Sequence, residues 1–269
     1  MLEMGDSWLK RLHPGWASHA GVTAALFGRA GFIGPATSID GTRGFYATHI
    51  GRVPKTEAMP AFELGARWRM LDIALKPYPC CHIIHAFVDA ALELRSQFAI
   101  EDVERIECPL VQDWHKLIAE PRAECVEPAT PYRALFSMQY VVALALLRGH
   151  VELADFYDRT LRAPDVNALA HKVWCADDPL SDYPAHFPGE LVIHLRTGRV
   201  LRCRKPASLG TPENPMSQEA LQAKFLANAT RVIPADTALQ LQEMVMRIDT
   251  LPGIDPILAL SAAPTTKEQ

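Results

Sequence analysis

Residues 132–147, YRALFSMQYVVALALL, are apolar on nearly every side when wound at 3.6 residues per turn. A helix without a polar face has to be buried on all sides, so the chain must build enough structure to surround it. With 269 residues it can do so as one large domain or two modest ones. Its 49% hydrophobic and 22% charged residues suit a globular protein. The net charge of −4 gives no electrostatic basis for a nucleic-acid partner. No apolar run nears the ~20 residues of a membrane span, and Met138 to Leu147 is the longest, so no membrane partner is expected. The opening residues, MLEMGDSWLKRLHPGW, lack a basic stretch followed by an apolar one. They do not read as a secretory signal, and a cytoplasmic location is expected. The cysteines at 80, 81, 108, 125, 175 and 203 read as reduced, mostly buried thiols.

Around that helix the pattern is mixed. Residues 13–30 carry small and apolar residues at helical spacing, stopped by Gly31 and Gly34. Residues 70–75 (MLDIAL) read as a buried strand ended by KPYP, and residues 81–97 as a helix. Residues 103–111 alternate as a strand. Residues 191–195 and 200–203, joined through Thr197-Gly198, form a hairpin candidate. Ser217 is a candidate N-cap for a helix over 218–228, and another helix is expected over 236–248. The tail from Pro264 reads as disordered. The expected class is α+β.

The densest cluster of reactive side chains is KPYPCCHIIH at 76–85. On a helix starting near Cys81, Ile84, Phe87, Val88, Ala91 and Leu94 face one way. His82, His85 and Asp89 gather opposite, and Cys81 lies on the boundary. A zinc site would need spaced ligand pairs, which are absent, so no metal is expected. A Cys–His nucleophile would need an activated thiolate. Periodicity by itself favours a third reading, a polar edge in solvent. A fourth is a carboxylate-binding corner, because Lys76 and a histidine stand where a helix N-terminus offers free N–H groups.

Lys10 and His13 form a second lysine–histidine pair, at the start of the first helix. Taken singly, each reads as a surface lysine and a packing histidine. Ser137 and Tyr140 lie three apart in the apolar helix. Their hydroxyls need buried partners, and a tyrosine there could be a satisfied core residue or a proton donor. No GxGxxG, GxxxxGK or GxSxG motif occurs, which removes the common nucleotide-dependent classes and the α/β-hydrolases.

Four collinear stretches, at 10–35, 75–94, 136–149 and 210–225, together resemble the MmgE/PrpD family. The resemblance implies a helical domain with an α+β lid domain and a cleft between them. Residues 1–60 and 210–263 would belong to the helical domain, 61–209 to the lid, and 264–269 to the tail. It implies a cofactor-independent lyase or isomerase acting on small di- or tricarboxylates, of the 2-methylcitrate dehydratase kind, with proton removal next to a carboxylate. Carried over by position, Lys10, Lys76 and Tyr140 would be catalytic, and His13, Cys81 and His82 would bind substrate. Cys81 stands where decarboxylases resemble a histidine, which argues mildly against decarboxylation. Family members are longer at the N-terminal side, where further active-site histidines and an aspartate lie. The chain is therefore expected to supply one wall of the cleft and to expose core surface around 13–30 and 236–260. The expected partners are a small polycarboxylate, a second copy in a homodimer, and a separate polypeptide carrying the other helical half. The alternative is a carboxylate-binding unit without a base.

Overall fold

The computed structural model describes residues 9–53, 65–66, 68–157 and 161–262. The chain divides into two compact units, residues 1–71 and 72–269. The first carries a long helix, Leu9–Arg29, and a short one, Phe45–Ile50. Leu12, Trp16, Val22, Leu26 and Phe27 of the long helix are exposed. The expected domain boundary at 60/61 and the expected tail 264–269 lie outside the described residues.

The second unit is built on a four-stranded mixed sheet in the order β2-β1-β3-β4, which makes the chain α+β as expected. Strand β1 (Val103–Leu110) runs parallel to β2 (Val173–Asp177) and antiparallel to β3 (Gly189–Leu195). Strand β4 (Val200–Lys205) completes the hairpin read from the sequence. At its turn Gly198 takes φ +85°, and Leu195 and Arg199 close the loop through a 2.9 Å backbone bond.

Alternation along the strands separates the two faces of the sheet. Ile106, Cys108, Leu191, Ile193, Leu201 and Cys203 point into the core. Glu107, Glu190, His194, Arg202 and Arg204 point the other way and pair among themselves and with Asp178. The inner face is covered by helices His85–Leu94 and Met138–Arg148, which also pack on each other. Residues 138–146 of the second helix are all buried. The apolar run 132–147 therefore holds the centre of this unit, as its lack of a polar face demanded. It is not one helix. A short turn, Pro131–Ala134, precedes it, and Ser137 adopts extended angles as N-cap and accepts from the Tyr140 N–H at 3.0 Å.

The C-terminal helices are Gln218–Ala229, Ala235–Met246 and Asp255–Ser261. Ser217 caps the first by accepting from Ala220 N–H at 3.1 Å, as its position predicted. Met246, Ile248, Ile254 and Leu258 are exposed. No helix of the described residues is long and apolar enough to cross a membrane. All six cysteines are free thiols, four of them buried.

One expected element is absent. Residues 70–75 do not form a buried strand. Arg69–Asp72 is a 3-10 turn with Met70 and Leu71 largely exposed, and the chain then runs without regular structure into the two prolines. Pro77 and Pro79 have no N–H to give a ladder. Among the described residues, the segment is tied instead by Leu75 N–H to Gly210 O at 2.7 Å. Gly210 has φ +94°, and a Cβ there would lie 2.0 Å from Leu75 O. Both the left-handed backbone and the lack of room require glycine. Gly210→Ala is expected to destabilise the protein by about 2 kcal/mol or more, read as a lower urea midpoint. A midpoint equal to that of the unchanged protein would contradict the pairing.

Candidate functional site

The site is assembled from three pieces of the second unit: the turn 75–82, the helix His85–Leu94, and the loop around Ser208–Gly210. Lys76 opens the turn, and its ammonium curls back to donate to Cys80 O at 3.1 Å. The Lys76 carbonyl accepts in turn from Lys224 Nζ, on helix Gln218–Ala229. Asp89 fastens the other side. Its Oδ1 accepts from the Tyr78 hydroxyl and its Oδ2 from Leu209 N–H, both at 2.7 Å. One carboxylate thus holds the KPYP turn and the 208–210 loop to the same helix.

Between these clamps lie two histidines, with ring centroids 5.0 Å apart. His82 stacks on Phe187 at 5.3 Å and 12°, and its Nε2 meets Ser208 Oγ at 3.3 Å. His85 is fully buried, edge-on to the Tyr78 ring. Its Nε2 lies 3.4 Å from Cys80 O, and its Nδ1 is buried without a partner. The expected solvent-facing polar edge is therefore covered. Loop 208–210, Tyr78 and Phe187 close over the face that carries His82, His85 and Asp89. Cys81 is half-buried beside them.

The helix N-terminus contributes less than its position suggested. Cys81 N–H donates to Leu135 O at 2.8 Å, Ile84 N–H to Cys81 O, and His85 N–H to His82 O. These donors are spent inside the protein. The positive character of the corner comes from side chains instead. Burial and then the nearby Lys76 lower the pKa of His82. Burial and then His82 push His85 down to about 3, with Lys76 and Lys224 acting in the same direction. Burial and Lys76 also lower Lys224. Two ammonium groups and two imidazoles stand close enough to repel one another's charge, and the imidazoles respond by staying neutral. An anion is the ligand that such a set stabilises. Burial and the adjacent Asp89 carboxylate hold the Tyr78 phenol protonated. Among the described residues, no group of three or more His, Cys, Asp or Glu is placed to hold a metal ion.

The six residues singled out in the sequence are distributed as follows. Lys76, Cys81 and His82 come together in the turn. Tyr140 is fully buried, packed near Phe156, with its hydroxyl donating to Asp155 O at 3.2 Å. Burial, aided by Asp155, raises its pKa to about 12, so it holds its proton firmly. Lys10 and His13 lie on helix Leu9–Arg29 of the first unit, both exposed. Lys224, Ser208 and Phe187 were not anticipated. Ser208 and Phe187 carried no signal of their own. Lys224 lies inside the stretch 210–225, where a loop marked by Gly210, Pro212 and Pro215 and followed by a lysine-bearing helix was the available clue.

Residues 78–250 match the MmgE/PrpD C-terminal domain model. The chain belongs to the MmgE/PrpD family. Its relatives include the cis-aconitate decarboxylase of Homo sapiens, 27% identical over 270 residues, which cover 96% of this chain and 54% of that protein. The cis-aconitate decarboxylase of Aspergillus terreus is 25% identical over 272 residues, covering 95% and 55%. The 2-methylcitrate dehydratase of Cupriavidus necator is 26% identical over 196 residues, covering 70% and 40%. The chain spans about half the length of the curated relatives it matches.

The buried histidine makes stability depend on pH. The folded value of His85 lies near 3 and its ordinary value is 6.5. Between those values the unfolded chain binds a proton that the folded protein excludes, so its contribution is complete above 6.5 and is lost as pH falls toward 3. The slope from this group is at most about 1.4 kcal/mol per pH unit. Urea unfolding between pH 7 and 5 should show a shallower fall in His85→Gln than in the unchanged protein. Equal slopes would contradict the assignment.

Proposed function

We propose that the chain forms the carboxylate-binding wall of a cofactor-independent lyase or isomerase acting on small di- or tricarboxylates. The observation that carries this reading is the joining of Lys76, Lys224 and His82 in one corner, held by Asp89. Lys76 opposes the charging of Lys224 and His82, and a multiply charged anion would relieve that opposition. Charge-assisted hydrogen bonds then give the anion its orientation. Relatives named cis-aconitate decarboxylase and 2-methylcitrate dehydratase support the substrate class, since both names carry a tricarboxylate. In either reaction the bound carboxylates would orient the carbon beside them, where a proton leaves or arrives. Lys10 and His13, on the first unit, belong to the same reading by their match to the family's pattern. A homodimer and a second polypeptide resembling the remaining length of the relatives are the partners this reading asks for.

A second reading, carboxylate binding without turnover, is favoured by one observation. Within the corner the titratable groups suit binding better than proton abstraction: His85 is sealed in the core and Tyr78 keeps its proton. Turnover would then require a base brought by other residues.

The test is calorimetric titration with tricarballylate, followed by assays on cis-aconitate and 2-methylcitrate. Lys76→Met should weaken tricarballylate binding about tenfold or more, with a small change in thermal stability. Unchanged affinity would remove Lys76 from the site. Binding without turnover on either substrate would select the second reading.

A further inference from the structure

His82 could serve the corner as a base or as a hydrogen-bond donor, and the choice depends on which ring nitrogen carries its single proton. Ser208 decides it. The residue is fully buried, and among the described residues the hydrogen-bond partner of its Oγ is His82 Nε2, at 3.3 Å. Two arrangements fit that distance. If Nε2–H donates to Oγ, the hydroxyl proton is left buried with no acceptor. If Oγ–H donates to Nε2, the proton is used and only oxygen lone pairs go short. Buried donors without acceptors are rarer and costlier than under-used oxygens.

The surroundings hold Ser208 in place for this role. Its carbonyl accepts from Thr211 Oγ1 at 3.0 Å, and the next residue, Leu209, is tied to Asp89. Phe187 lies flat against the imidazole and fixes its plane. On the far side of the ring, Nδ1 of the half-buried His82 has no hydrogen-bond partner among the described residues.

We propose that Ser208 is a positioning residue that locks His82 as the Nδ1–H tautomer, so that His82 offers an anion a hydrogen-bond donor and does not act as a base. The tautomer follows from the local geometry alone. The identity of the anion as a carboxylate rests on the function proposed above. His85 provides a contrast in the same structure. Its Nε2 faces the Cys80 carbonyl, an acceptor, which requires the opposite Nε2–H form.

Long-range proton–nitrogen correlation spectra of the histidine-labelled protein test this, with His82 identified by its loss in His82→Gln. At neutral pH His82 should show a protonated Nδ1 and a bare Nε2, and His85 the reverse. In Ser208→Ala the His82 pattern should move toward Nε2–H while that of His85 persists. A wild-type His82 carrying its proton on Nε2 would overturn the assignment. So would an unchanged His82 pattern in Ser208→Ala. Should that variant fail to fold, the wild-type spectrum decides alone. Tricarballylate affinity should also fall roughly threefold to tenfold in Ser208→Ala. If the unchanged protein binds no tricarballylate, the carboxylate reading fails and the tautomer is judged on its spectrum.

Discussion

The corner depends on a single carboxylate. Asp89 accepts one hydrogen bond from the Tyr78 hydroxyl and one from the Leu209 amide, and so joins to one helix two segments that lie 131 residues apart in sequence. Charge-assisted bonds of this kind are among the strongest available to a folded chain. Everything chemical in the corner is arranged by that junction. It sets the KPYP turn from which Lys76 projects, and it brings Ser208 to His82. Gly210 extends the same junction by letting its backbone approach Leu75, where no side chain would fit. The helix that carries Asp89 is itself seated on the sheet and on helix Met138–Arg148, which is buried over residues 138–146. The apolar run that demanded a core thus supports the platform on which the polar corner stands.

The electrostatics follow from that arrangement. Bringing Lys224, His82 and His85 near Lys76 in a partly desolvated space opposes the charging of those three groups. The histidines answer by remaining neutral. In the tautomers proposed above, Ser208 Oγ–H donates a hydrogen bond to His82 Nε2, and His85 Nε2–H donates one to Cys80 O. The lysines remain as the cations of the corner. Under the proposed function, such a set of side chains suits an anion with more than one charge. It has no need of a free thiolate, and the two adjacent cysteines are packing and boundary residues of the turn. Cys80 is buried, and burial raises its thiol pKa far above the ordinary value.

Local patterns in the sequence predicted local structure well. The hairpin around Thr197-Gly198, the Ser217 cap and the buried central helix were legible because turn chemistry, capping and periodicity act within a few residues. The strand Val173–Asp177 was not legible. Its pairing with Val103–Leu110 is made across more than sixty residues, and its own five residues are too few to alternate clearly. The strand expected over 70–75 failed for a related reason. Apolar residues there suggested burial, and among the described residues no strand pairs with the segment. At the site, the shared face of His82, His85 and Asp89 was readable from helix geometry. Its cover was not, since Phe187 and Ser208 come from more than a hundred residues further on. The resemblance marked Lys76 and His82, while the structure added Lys224 and showed Tyr140 bonded within the core.

The central claim is that Lys76, Lys224 and His82 form one anion-binding corner clamped by Asp89. A crystal structure of the protein with tricarballylate tests it most directly. The account predicts a carboxylate of the ligand within hydrogen-bonding distance of Lys76 Nζ and His82 Nδ1, with Asp89 still bound to Tyr78 and Leu209. A ligand seated on other residues, with the corner unoccupied at saturating concentration, would contradict it.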